Sequence, residues 1–333
     1  MAPSLAAILG ALTLVLSLAI SHVHATCARG LGWATNNQYG SNIGHKPMIT
    51  WYHRQYSFRL YFQRNCFAER SSLADWQDGV VPEINVEFVP MFWGPSKWSQ
   101  WSSCLSEMNK KTPQHLLSFN EPDVAGQANM DPNYAAELFM QQIYPWSKKG
   151  VQIGSPAVVW NLDWVNTFLN AIKQKGGHVD FICLHWCVVR VSSCPTILNY
   201  DASRYGSWKD LAGFQKYVQT AHSRFGKNIW IPELGVTSAS NPSQSQVKAF
   251  MMNAFNWMDS QSYVSRAAWF GKSAPRPYLL PVIITSCFTG AWESNHPPDS
   301  FSTHYNAMLN PGGSLNDMGQ WLVFILGFSH IVR

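Results

Sequence analysis

A chain of 333 residues with 46% hydrophobic side chains can bury a large core, and one (β/α)8 domain of about 250 residues with insertions accounts for most of that length. The net charge of +5, from 24 basic and 19 acidic residues, is spread without a lysine or arginine cluster, which argues against nucleic acid as a partner. Aromatic residues reach 14%, with 16 tryptophans, and flat indole faces stack well on the apolar faces of sugar rings, so carbohydrate is the ligand class the composition favours.

In chain order, the first feature is the apolar stretch Leu5–Ile20, followed by the small-residue ending Val23-His-Ala25. It predicts a signal peptide over residues 1–25, cleaved before Thr26, and therefore secretion. Eight short apolar runs then follow, each bounded by turn residues: 29–33, 48–51, 86–93, 116–120, 151–157, 181–186, 229–233 and 267–270. Helical periodicity fills the intervals at 134–149, 162–175, 207–225 and 244–259. Eight strands in βα alternation predict an α/β fold, a closed (β/α)8 TIM barrel of parallel strands. The late run Leu322–Phe328 is too short to cross a bilayer, so no membrane span is expected once the signal is removed.

The cysteines give no disulfide framework. There are seven, at 27, 66, 104, 183, 187, 194 and 287, so at least one is unpaired within the chain. None has metal-site spacing, and His185 has no second ligand near it in sequence, so no metal site is expected.

Chemistry concentrates at the ends of the fourth and seventh runs. Glu121 follows His115-Leu-Leu-Ser-Phe-Asn, and Glu233 follows Asn228-Ile-Trp-Ile-Pro. Barrel enzymes carry catalytic groups at the C-terminal ends of strands, and a glycosidase needs two carboxyls there, one to protonate the leaving oxygen and one to attack the sugar or activate water. Asn120, just before Glu121, can hydrogen-bond a sugar 2-hydroxyl. Trp33, Trp51, Trp93, Trp186 and Trp269 each close a strand run and, with His185 and Phe270, would ring the mouth around the two glutamates. Glu83 and Glu87 lie near the start of the third strand and read as non-catalytic.

Taken as a set, Arg29-Gly-Leu-Gly-Trp33, Val89-Pro-Met-Phe-Trp-Gly94, Ser118-Phe-Asn-Glu-Pro-Asp123, Asp180-Phe-Ile-Cys-Leu-His-Trp186, Trp230-Ile-Pro-Glu-Leu-Gly235 and Ala267-Ala-Trp-Phe-Gly271 resemble glycoside hydrolase family 128 over about residues 28 to 321. The resemblance implies a clan-A type barrel and a retaining endo-β-1,3-glucanase of the kind common in fungi. Its partner would be β-1,3-glucan, with no cofactor, and it would act as a monomer outside the cell or in the cell wall. By position, Glu121 would be the acid/base and Glu233 the nucleophile, with Asn120, Trp93, His185, Trp186 and Trp269 touching glucan. A non-catalytic β-1,3-glucan-binding protein on the same barrel is the alternative, and the presence of both glutamates argues against it.

Three segments depart from the family pattern: 187–199, 272–294 and the tail 322–333. Each is apolar, patternless and placed beside an intact motif, as expected of translated introns. The catalytic domain is accordingly expected over residues 26–321.

Overall fold

A computed structural model describes residues 27–33, 49–54, 87–186, 209–237, 241–270, 306–308 and 314–324, with residues 30–33, 49–54 and 323–324 described through their backbone. The expected signal peptide and the segments 187–199 and 272–294 lie outside these residues.

Strands are found at all eight expected places: β1 Ala28–Trp33, β2 Ile49–Arg54, β3 Glu87–Phe88, β4 His115–Leu116, β5 Gln152–Ile153, β6 Phe181–Trp186, β7 Asn228–Leu234 and β8 Val264–Phe270. Helices follow: α1 Trp98–Lys110 after β3, α2 Pro132–Gln142 after β4, α3 Leu162–Gln174 after β5, α4 Leu211–Phe225 after β6, α5 Gln244–Asp259 after β7 and α6 Asp317–Phe324 after β8. Every strand pairing is parallel. One sheet runs β3-β2-β1-β8-β7-β6, and β4 pairs with β5. Isolated parallel bridges link the two groups, Met91 to Leu117 at one side and Gly154 to Phe181 and Val158 to Leu184 at the other.

Three strands are shorter than their apolar runs, and proline is the reason at two of them. Pro90 and Pro156 have no N–H to donate, so the ladder breaks after Phe88 and Ile153 and resumes as single bridges. Pro90 still contributes its carbonyl, which accepts from the Leu117 amide at 2.9 Å.

Helix ends are set locally. Asp131 caps α2, its side chain accepting from the Asn133 and Tyr134 amides, and Pro132 occupies the first turn. Asn161 caps α3, and Ser243 with Gln246 forms a reciprocal capping box on α5. The long helix expected over 134–149 is divided: α2 stops at Gln142, and Tyr144–Lys149 is a 3-10 turn with Pro145 near its start.

The strands bury two faces. Helices cover one, through residues such as Phe139, Phe168, Phe214 and Phe255. On the other, Val89, Leu117, Ala157, Phe181, Cys183, Trp230 and Ala268 pack together, with Phe181 and Trp230 stacked 3.9 Å apart. At the strand N-terminal ends this core is closed by charge. Glu87 accepts from Arg266 at 2.6 Å and meets the His115 ring nitrogen at 2.5 Å, while the Arg266 guanidinium lies 4.4 Å over the Trp230 ring.

A buried cation, Arg29, fastens α6. Arg29 donates to Asp259 at 3.0 Å and to the Leu322 carbonyl at 3.2 Å, and its guanidinium faces the rings of Phe255 and Trp321. The boundary expected between residues 321 and 322 therefore falls inside α6, whose buried Leu322 belongs to the packed core.

Candidate active site

Glu121 and Glu233 lie just past β4 and inside β7, and His185 stands between them on β6. The three are almost wholly buried, with 3%, 1% and 0% of their surface exposed. The His185 Nδ1 is 2.9 Å from a Glu121 carboxylate oxygen and 3.6 Å from one of Glu233. One ligand-capable atom from each residue lies within 4.8 Å of the others. This trio also has the spacing of a cation's ligands. The expectation of no such set came from spacing along the chain, whereas strands distant in sequence bring these groups together.

Local irregularity aims the side chains. Glu121 has φ 44°, a left-handed conformation that a non-glycine residue adopts only where its surroundings impose it, at an ordinary cost of about 1–3 kcal/mol. The imposing bonds run from the Glu121 amide to the Ala157 carbonyl at 2.9 Å and from the Val124 amide back to the Glu121 carbonyl at 3.1 Å. On the other side, the β6–β7 register shifts between Cys183 and His185 and the β7–β8 register between Ile231 and Leu234. These bulges make His185 and Glu233 direct cross-strand partners, a common use of a bulge beside a site.

Burial pushes the His185 imidazole below its ordinary value, against the opposing charges of Glu233 and Asp123. A neutral ring with its proton on Nδ1 suits two facing carboxylates, and this places an acceptor at Nε2. That nitrogen is buried and has no hydrogen-bond partner among the described residues.

Asn120 is fully buried, its amide N–H2 donating to the Gln127 side chain at 3.1 Å and its backbone N–H to the Trp93 carbonyl at 2.9 Å. Trp93 is buried outside both apolar cores, and the Lys97 ammonium lies 5.6 Å from its ring centre.

Two of the five indoles face the helices rather than the mouth, and a third does not end its strand. Trp186 packs on Phe214 and Tyr217 of α4, and Trp269 is fully buried in the same helix-facing core with its Nε1–H donating to the Asn306 carbonyl at 3.0 Å. Strand alternation explains both. Ala268 joins the opposite core, so its neighbour Trp269 must face the helices, and His185 meets the glutamates while Trp186 turns away. Trp51 does not close its strand, because β2 continues to Arg54 and pairs Trp51 with Glu87 at the start of β3. Trp33 ends β1 as expected, beside Arg54. The side chains of Trp33 and Trp51 are outside the described residues.

Two residues that sequence reasoning did not assign hold the site. Asp123 accepts from the amides of Val159, Trp160 and Asn161 at 3.1–3.2 Å, and burial pushes its carboxyl up against the pull of those amides. Asn306 bridges the Val236 amide and carbonyl just past Glu233. The signal for Asp123 was present, since it ends the Ser118–Asp123 motif. Asn306 carried none.

A parallel α/β fold with a buried glutamate pair at strand ends is the arrangement of a glycosidase. Residues 30–280 match the family described as glycosyl hydrolase catalytic core, and the chain belongs to that family. Its fold is also that of solved glycoside hydrolase family 128 enzymes. A curdlan-specific exo-β-1,3-glucanase of Blastomyces gilchristii, in complex with glucose, is 20% identical, with 90% of this chain and 98% of that one covered at a TM-score of 0.58. An endo-β-1,3-glucanase of Amycolatopsis mediterranei, in complex with laminaritriose, is 22% identical over 89% and 98% at 0.56. An exo-β-1,3-glucanase of Aureobasidium namibiae is 18% identical over 90% and 97% at 0.60. The alkali-sensitive linkage protein 1 of Schizosaccharomyces pombe is 27% identical over 213 residues, which span 62% of this chain and 32% of that relative's length.

Proposed function

We propose that this protein is a secreted, retaining β-1,3-glucanase that cuts its polymer internally, working as a monomer on a closed (β/α)8 barrel. The pairing circuit supports the barrel: a six-stranded sheet, a two-stranded sheet and parallel bridges between their edges involve all eight strands. Family membership and the folds it shares with β-1,3-glucanases support the substrate.

The observation that carries the chemistry is the separation of the two carboxylates. With an oxygen of each within 4.8 Å of the other, the gap suits direct attack at about 5–5.5 Å rather than the ~6.5–9.5 Å that leaves room for an intervening water. Glu121 gives its proton to the glycosidic oxygen as the bond to the anomeric carbon breaks, and Glu233 forms the new bond to that carbon. Glu121 then takes a proton from the water that releases the sugar. His185 donates from Nδ1 to Glu121 in its ionised phase and leaves Nε2 facing a hydroxyl donor of the substrate. Asn120, the residue before Glu121, meets the sugar 2-hydroxyl.

Release of reducing ends from laminarin tests this reading, with product lengths followed from the earliest time. Mixed oligosaccharides support internal cleavage. Glucose alone from the outset replaces it with exo action, and binding without release favours a glucan-binding protein.

A further inference from the structure

We infer that Asp123 is the positioning residue of the proton donor Glu121, an inference that rests on the acid/base reading above. Glu121 occupies a left-handed backbone conformation, so something must hold it there. The turn from Glu121 to Val124 closes on the Glu121 carbonyl, and Asp123 is one of its two central residues. That turn is tied at two points to the segment 157–161. At one, the Glu121 amide donates to the Ala157 carbonyl. At the other, the Asp123 carboxylate gathers three successive amides, those of Val159, Trp160 and Asn161.

The same segment also orients His185, whose amide donates to the Val158 carbonyl. It runs directly into α3, where Asn161 caps the first turn. A carboxylate on consecutive amides at a helix start is a directional, charge-assisted attachment that an uncharged side chain reproduces only in part. Removing it leaves the Glu121 turn joined to this segment at Ala157 alone, with three amides short of their acceptor. Glu233 is attached elsewhere, through β7 pairing and Asn306. Loss of Asp123 should therefore displace the acid while leaving the nucleophile in place.

That asymmetry can be read through the leaving group. Cleaving laminarin needs the Glu121 proton on the departing oxygen. Releasing 2,4-dinitrophenolate from a dinitrophenyl β-laminaribioside does not, because that anion leaves unprotonated as Glu233 bonds to the anomeric carbon. The ratio kcat/KM reports this first step for both substrates. For Asp123→Ala the expected loss on laminarin is about 10²-fold, the usual consequence of misplacing an acid by about 1 Å, with the dinitrophenyl substrate within roughly threefold of wild type. Asp123→Asn, whose amide oxygen can still accept from the clustered amides, should fall between, and it keeps the test open if the alanine variant does not fold.

Equal losses on both substrates make Asp123 merely structural and overturn the inference, as does no loss on either. If Glu121→Ala shows the leaving-group split and the Asp123 variants do not, this inference alone fails. A wild type that cleaves neither substrate defeats the acid/base reading and this inference together.

Discussion

Replacing Trp269 with phenylalanine separates a core indole from a sugar-stacking one. Trp269 is fully buried, faces the helices and donates from Nε1 to the Asn306 carbonyl at 3.0 Å. The variant loses that bond and leaves a buried carbonyl without this donor, which costs about 1–3 kcal/mol. The smaller ring adds an unfilled volume worth roughly 1 kcal/mol or more. A total of about 2–4 kcal/mol lowers the melting temperature of a domain of about 300 residues by approximately 3–6 °C, at an unfolding entropy of about 2.1 cal/mol/K per residue. Thermal unfolding followed by circular dichroism measures this, and KM for laminari-oligosaccharides, measured well below the transition, should stay at the wild-type value. An unchanged melting temperature together with a tenfold rise in KM would return Trp269 to the sugar cleft and refute the strand-alternation argument.

Trp93 gives the opposite expectation: Trp93→Ala should weaken laminari-oligosaccharide binding about threefold to tenfold by calorimetry, the value of one aromatic contact of ~0.5–1.5 kcal/mol, and unchanged affinity would make it a packing residue. Burial works against ionised Glu87, but the His115 hydrogen bond and the Arg266 charge outweigh it and hold the carboxyl below its ordinary value of 4.5. Because the folded value lies below the unfolded one, this stabilisation is fully present above that value and fades as pH falls through the folded one. Stability measured from pH 7 downwards should therefore decline below about pH 4.5, and Glu87→Gln should flatten part of that decline; an identical pH dependence in the variant would contradict it. Arg29→Met should destabilise by about 3 kcal/mol in urea titration, since it leaves Asp259 with the Cys27 amide but without its cation and unties α6, and a loss below ~1 kcal/mol would show that apolar packing alone holds that helix. Deleting residues 187–199 and 272–294 should raise soluble yield and activity, because apolar β-prone runs such as Pro281-Val-Ile-Ile-Thr promote aggregation when unpaired; unchanged yield with lost activity would identify them as functional loops.

The strand positions were legible because each apolar run is short and bounded by turn residues, and the two glutamates stood out as acidic groups at the ends of such runs. The facing of individual side chains was not legible. Glu233 becomes the cross-strand partner of His185 through a register shift in the β6–β7 pairing at Cys183–His185, and nothing in the local sequence reports it. The end of β2 was not legible either, because the polar residues after Trp51, His53 and Arg54, still belong to that strand. Helix α1 escaped notice because serine interrupts its apolar stripe, yet Trp101, Cys104 and Met108 recur at helical spacing and are buried. The role of Asp123 required three dimensions, since its partners lie 36–38 positions away.

The central claim is that Glu233 forms a covalent bond to the sugar while Glu121 handles the proton. A 2-deoxy-2-fluoro-β-laminaribiosyl fluoride slows turnover of such an intermediate, and peptide mass spectrometry of the treated protein locates the label. The account predicts a single laminaribiosyl adduct on the peptide containing Glu233, absent from Glu233→Gln. A label on Glu121, or laminarin hydrolysis whose first product has the inverted configuration, would contradict it.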